Sequence, residues 1–337
     1  MERIKPEFVP PWHAHKKPKE MRPLRRADNF NMTASLDSLC TALPHLGIIR
    51  AQGEDAANFL HNQLTQDVLL LDVQHARLAA WCNAKGRMLA SFVLFKPQAD
   101  EVLLIVSRDV LASALKRLSM FVLRAKVKLS DATADFELRG LVGAPLRALT
   151  DTTEPWRHVD MGHGVHLVTL YPAQAQPRAI WLGPASHAPA CSVTEEEATS
   201  IWSYSDVMSG VAWVSAATAE AFVPQMLNYE SVDGVNFKKG CYPGQEVVAR
   251  SQFRGTLKRR AFIVQADAPM QAGQEVFASH DAGQPCGLIA QAASVGGQHV
   301  AVAELQLSAT ESTLHVGSAQ GPQLVRLPLP YALRDDI

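Results

Sequence analysis

Between residues 77 and 129 the hydrophobic period switches from two to about 3.6 and back, and that order restricts the fold more than any other feature. Residues 77–82, 88–96 and 101–106 are apolar runs of strand length. Asn83-Ala84-Lys85-Gly86 joins the first two with hairpin-turn chemistry. Residues 107–120 then place Val110, Leu111, Ala114, Leu115 and Leu118 on one helical face, ahead of a short strand at 127–129. Upstream, Ile48 and Ile49 precede a near-helical pattern of Ala56, Ala57, Phe59, Leu60 and Leu64. Strands and helix in this order predict a split β-α-β lobe on one sheet.

A similar order recurs from residue 135 to 210. Strands are predicted at 136–142, 165–170 and 179–182, with a short helix at 145–149. A second helix opens on Thr194-Glu195-Glu196-Glu197, which fits a capping box. After Gly255 the texture changes to short strands at 261–264, 275–278, 287–292, 300–305 and 323–327, separated by Gly, Pro and Asp, as in a small antiparallel barrel. The fold class is therefore α+β. The predicted layout is a flexible basic tail (1–30), a first α+β lobe (31–130), a second (131–255) and a C-terminal β-barrel (256–337). The tail carries five prolines and a net charge of +4.

Composition narrows the class. With 47% hydrophobic and 19% charged residues among 337, the chain is neither disordered, collagenous nor a coiled coil. A net charge of -1 gives no global pull toward nucleic acid or anionic lipid. Apolar runs such as 102–106 fall far short of the ~18–20 residues that span a bilayer, so no membrane association is expected. Five cysteines without a CxxC, an odd number, argue against a disulfide framework, and no secretory signal precedes them. The expectation is a reducing cytoplasm.

The chemistry concentrates in Phe237-Lys238-Lys239-Gly240-Cys241-Tyr242-Pro243-Gly244-Gln245-Glu246-Val247-Val248-Ala249-Arg250. Pro243-Gly244 suits the centre of a type II turn, and good helix formers follow from Gln245. Cys241 then lies just before a helix N-terminus beside Lys238 and Lys239, where dipole and charge favour the thiolate. Such a thiol can ligate a soft metal, attack an electrophile or form a transient disulfide, whereas a buried cysteine is only a small hydrophobe. From Lys238 to Arg260 seven basic residues face the single Glu246, a net +6 that suits either a polyanion or a solvated, salt-bridged surface. Ser113 to Lys116 has serine-lysine spacing but lies on an ordinary amphipathic helix. Gly162-His163-Gly164 is too short for a dinucleotide fingerprint, and the twelve histidines show no zinc spacing.

Lys239-Gly240-Cys241-Tyr242-Pro243-Gly244-Gln245-Glu246 resembles the signature of the YgfZ-type folate-binding proteins, relatives of the glycine-cleavage T-protein and of mitochondrial iron-sulfur assembly factors. The likeness covers almost the whole chain after residue 30. Asn83-Ala84-Lys85-Gly86-Arg87 looks like the family's first-lobe turn. Phe222-Val223-Pro224-Gln225 resembles its F-x-P-Q segment, and Phe253-Arg254-Gly255 the end of its motif helix. The resemblance implies two ferredoxin-like α+β lobes and a C-terminal antiparallel barrel, arranged as a three-domain ring around a central channel that admits a folate.

Departures shape what the resemblance implies. The aspartate pair of the aminomethyl-transferring T-proteins is replaced here by Ala90 and Ser91, which cannot act as carboxylates, so aminomethyl transfer is not the expected main activity. Met208 stands where a pterin-anchoring glutamate is expected, and Leu46 where an aromatic is. The resemblance implies tetrahydrofolate or another reduced folate as cofactor, with Trp202, Gln225, Arg250 and Arg254 as its contacts. In this reading Cys241 is the chemical residue, supported by Lys239, Gly240, Tyr242, Gly244, Gln245 and Glu246. It acts as nucleophile, redox thiol or transient cluster ligand, and no permanent metal is expected. The implied role is an accessory one in assembling or repairing iron-sulfur enzymes, including those that thiolate tRNA. Partners are folate and iron-sulfur enzymes or assembly proteins, with tRNA only indirectly involved. The alternatives are a folate-dependent one-carbon transferase and a tRNA-binding protein using the tail and the 238–260 stretch.

Overall fold

The computed structural model describes residues 36–191, 195–253 and 257–334. The expectations placed on the 1–30 tail, on Thr194 and on Arg254 and Gly255 lie outside these. The strands are β1 (Ser38–Ala42), β2 (Leu46–Gln52), β3 (Ala76–Cys82), β4 (Met88–Gln98), β5 (Glu101–Ser107), β6 (Lys128–Asp131), β7 (Glu137–Gly143), β8 (His158–Gly162), β9 (Val165–Ala173) and β10 (Gln176–Gly183). The last six are β11 (Arg259–Ala266), β12 (Glu275–Ala278), β13 (Asp281–Val295), β14 (Gln298–Gln306), β15 (Leu314–Val316) and β16 (Gln323–Leu327). The helices are α1 (Ala56–His61), α2 (Arg108–Ser119), α3 (Ala144–Arg147), α4 (Glu195–Met208) and α5 (Gln245–Phe253).

The first sheet has the order β3-β4-β5-β2-β6, all antiparallel. Its strands alternate as the pleat demands. Phe92 and Leu94 of β4 pack with Phe59, Leu60, Val110 and Leu118 of α1 and α2, while Val93 and Phe95 point to the other face. That other face joins a continuous core containing Ile180 and Trp202 of the second lobe and Ala261 and Val300 of the barrel. Burial on both faces explains why these strands read as unbroken apolar runs.

The second sheet has the order β1-β7-β10-β9-β8, again antiparallel. Its first strand corrects the expected lobe layout: Ser38–Ala42 pairs with β7, Ser38 opposite Gly143 and Ala42 opposite Arg139. The chain therefore begins in the second sheet and crosses at 43–45 to start the first. β1 and β8 are short and carried no clear periodic signal. Strands β11-β14-β13-β12-β15-β16 close into a six-stranded antiparallel barrel, as the spacing after Gly255 predicts.

The disulfide expectation is overturned. Cys40 of β1 is bonded to Cys191, 151 residues away, which ties the strand that starts the second sheet to the segment leading into α4. An odd cysteine count leaves room for one such pair, and a separation this long has no spacing signature. No helix among the described residues is long and apolar enough to cross a membrane.

Candidate functional site

Three segments singled out in the sequence meet around Cys241. The Pro243-Gly244 turn is of type II: Gln245 N donates to Tyr242 O at 3.2 Å and Gly244 has φ +81°. Helix α5 starts directly after it, so Cys241 sits on the loop before the helix, with an exposed free thiol. The other unpaired cysteines, Cys82 and Cys286, are buried. Desolvation pushes the Cys82 thiol up to about 12. Cys241 is thus the accessible thiol of the chain.

The loop is held from one side by the turn between β3 and β4. Asn83 Oδ1 accepts from the backbone N–H groups of Lys85 and Arg87 at 2.9 and 3.1 Å, which shapes that turn so that Gly86 lies against Gly244 and Val247. Arg87 reaches the third segment by donating from Nη1 to Ala221 O. Met88 N donates to Phe222 O at 2.8 Å. Gln225 is fully buried and donates from Nε2 to Val248 O of α5 at 2.8 Å. Gln225 thereby braces the motif helix from beneath.

Lys239 is likewise a support, not a free cation. Its Nζ donates to the carbonyls of His61, Leu64 and Gly240, and stands 4.6 Å over the Tyr242 ring. Desolvation pulls its ammonium down to about 8, opposed by the charges of Asp67 and Cys241. Tyr242 is buried under it, and the same desolvation raises its phenol. Sequence reasoning missed two neighbours. His61 at the end of α1 is buried, its Nδ1 lies 3.1 Å from Asp67 Oδ1, and its Nε2 lies 3.6 Å from where a Cβ on Gly240 would stand. In the sequence His61 is one more residue in a helical run, and only the fold brings it to the loop. Gln245 and Glu246 open α5, Glu246 exposed in its first turn.

Of the other expected folate contacts among the described residues, Trp202 is buried and Arg250 exposed. Trp202 is 1% exposed and lies flat on β7, where a Cβ on Gly140 would come within 2.3 Å of its ring. The Arg178 guanidinium stacks 4.6 Å from its centroid and pairs with the buried carboxylate of Asp206. Trp202 Nε1 and Arg178 Nε are both buried without a hydrogen-bond partner. Arg250 is exposed on α5. The net +6 stretch is not one basic face, because Lys239 and Arg260 are buried, Arg260 on Glu230, and Arg259 is paired with Glu304.

Two cavities lie near this network. Leu78, Val93, Trp156, Arg178, Asp206 and Val211 enclose about 10 Å³ between the lobes, room for about one water. Asp206 and Trp213 also border a cleft of about 690 Å³ that runs from the first lobe to the barrel, with His45, Leu46, Arg108 and Gln291 on its walls. Burial lowers the pKa of His45, opposed by the charge of Asp206. Leu46 begins β2 and Ser107 ends β5, so the cleft opens at the sheet end from which the β3–β4 turn projects. Ala90 and Ser91 are fully buried, and Ser91 Oγ accepts from Val214 N at 2.9 Å, so no carboxylate acts from that position. No group of three or more potential metal ligands occurs among the described residues.

Comparison with known proteins agrees with this architecture. The structure matches the glycine cleavage system aminomethyltransferase T of Bartonella henselae with a TM-score of 0.62 over 89% of this chain and 88% of that one, at 12% identity, a likeness of fold. The sequence is 30% identical to the tRNA-modifying protein YgfZ of Photobacterium profundum over 305 residues, 86% of this chain and 90% of the relative. It is 28% identical to the protein of that name from Sodalis glossinidius over 87% of the chain and 92% of the relative. An uncharacterized protein of Haemophilus influenzae is 31% identical over 238 residues, 70% of this chain and 77% of that one. No family model matches. The chain belongs to the YgfZ tRNA-modifying protein family, which shares its fold with the glycine-cleavage T-protein.

Proposed function

We propose that this protein is a folate-binding accessory factor that supports assembly or repair of iron-sulfur enzymes, among them enzymes that thiolate tRNA, and that Cys241 is its reactive group. One observation carries the reading: the chain presents a single exposed free thiol on a loop that the β3–β4 turn, the 222–225 segment and Lys239 hold rigid. Structural cysteines are buried and need no such scaffold.

The protein's residues suit a folate in the 690 Å³ cleft, a volume in the range of small-molecule sites. A folate joins a flat bicycle with N–H donors to an anionic tail. Trp213 and Leu46 supply apolar walls, Asp206 and Gln291 acceptors, and Arg108 a cation for carboxylates. When bound, a reduced folate carries one-carbon or reducing equivalents. Within the motif, Lys239 fixes a positive charge beside Cys241 and the type II turn fixes the thiol's direction. Cys241 then acts as nucleophile, redox thiol or transient ligand of a cluster in transit.

The test is complementation of a strain lacking the protein, reading thiolated tRNA nucleosides by mass spectrometry. Wild type should restore them and Cys241→Ser should not. Full restoration by Cys241→Ser removes the thiol from the mechanism. A one-carbon transferase remains the second reading because Asp109 and Asp206 put two carboxylates in the cleft. Sustained formation of methylene- or methyl-folate from an added donor would favour it.

A further inference from the structure

A further cavity of about 650 Å³ lies beside the Cys241 loop and shares no lining residue with the 690 Å³ cleft. It is bounded by the residues just before the motif, Phe237 and Lys238, and by the last turn of α5, Gln252 and Phe253. Asp67, Arg77 and Asp233 complete its polar wall. Its chemistry is specific. Gln252 is only 4% exposed, yet its Oε1 has no hydrogen-bond partner, an acceptor buried without compensation in this structure. Phe253 is 68% exposed, and Phe237 meets it edge-on at 5.6 Å, which leaves an aromatic surface open to stacking. Arg77 and Lys238 offer cations, Asp67 and Asp233 carboxylates.

We propose that this cavity binds a nucleotide. The base stacks on Phe253. Arg77 and Lys238 take the phosphate, and the exposed carboxylate of Asp233 accepts from a ribose hydroxyl. A wall that carries carboxylates favours a sugar over the acidic tail of a folate, which carries no hydroxyls to satisfy them. A free nucleotide and one unstacked nucleotide of an RNA strand share this chemistry. The assignment is independent of what Cys241 does.

Calorimetric titration of the full chain with AMP, GMP, CMP, UMP and a six-nucleotide single-stranded RNA tests it. At least one of these probes should bind with Kd below about 1 mM, the weak end of specific recognition. Phe253→Ala should weaken that binding about tenfold, the scale of one lost stacking contact, and Lys238→Ala should weaken it while Cys241→Ser does not. Both side chains are exposed, so folding is not at stake. Binding of the mononucleotides identifies a free nucleotide as ligand, and binding of the RNA alone identifies a strand. The proposal is overturned if no probe binds below 1 mM, if binding is indifferent to Phe253 and Lys238, or if tetrahydrofolate alone shows that dependence.

Discussion

Gly244 and Gly86 meet backbone to backbone. A Cβ on Gly244 would stand 2.4 Å from Asn83 O and 2.7 Å from the Cα of Gly86, and one on Gly86 would meet Val247 Cβ at 2.9 Å. Both glycines have positive φ, +81° and +72°. Gly244→Ala therefore forces a left-handed conformation costing about 1–2 kcal/mol and a clash with unyielding backbone on top of it. Its urea midpoint should fall accordingly, and Cys241 should become more mobile, seen as a changed alkylation rate. Gly244→Ala with wild-type stability would mean that the two turns do not touch.

Thiol counting separates the five cysteines. Unfolded without reductant, the protein should release three equivalents with a thiol reagent, from Cys82, Cys241 and Cys286, and five after reduction, because Cys40 and Cys191 are joined. In the native state iodoacetamide should add to one cysteine, and Cys241→Ser should leave none. Two native adducts on wild type would contradict the burial of Cys82 and Cys286.

Lys239→Met removes an ammonium that binds three backbone carbonyls under the loop. Carbonyls orphaned in this way cost about 1–3 kcal/mol, and the fixed charge beside Cys241 is lost with them. Denaturant unfolding should show the destabilisation, and native alkylation of Cys241 at pH 7 should slow. Unchanged values in both measurements would make Lys239 dispensable.

Acid should weaken the join between the two lobes. His158 donates from Nδ1 to Val73 O and faces His166 Nδ1 at 3.1 Å through Nε2. Desolvation lowers its pKa from 6.5 to about 4. Between those values the unfolded chain binds a proton that the folded one refuses, so this contribution is complete above pH 6.5 and is lost as pH falls toward 4. The urea midpoint should drop from pH 7 to pH 4.5, and His158→Gln should flatten that part of the profile.

Legibility followed locality. The hairpin at 83–86, the amphipathic face of α2, the type II turn before α5 and the barrel strands are set by neighbours within a few residues, and each was readable. Trp202 shows the limit. An aromatic suited to stacking on a pterin is also an ordinary core residue, and only the absence of a side chain at Gly140, 62 positions away, decides which it is. Gln225, a polar side chain that reads as a ligand contact, is buried against Val248, and only the fold shows which carbonyls, those of His61 and Leu64, the supporting Lys239 holds.

By itself the sequence determined most of the segments that become strands and helices, β1 and β8 apart, and that the thiol at 241 would stand on a turn before a helix, because periodicity, turn residues and helix formers act through short-range sterics and hydrogen bonds. The tertiary structure decided everything that depends on long closures. It put β1 in the second sheet, bonded Cys40 to Cys191, and brought His61 and the β3–β4 turn to the Cys241 loop. Such contacts are chosen by which faces are left to bury once the elements exist, a property of the whole packed core that no local stretch encodes.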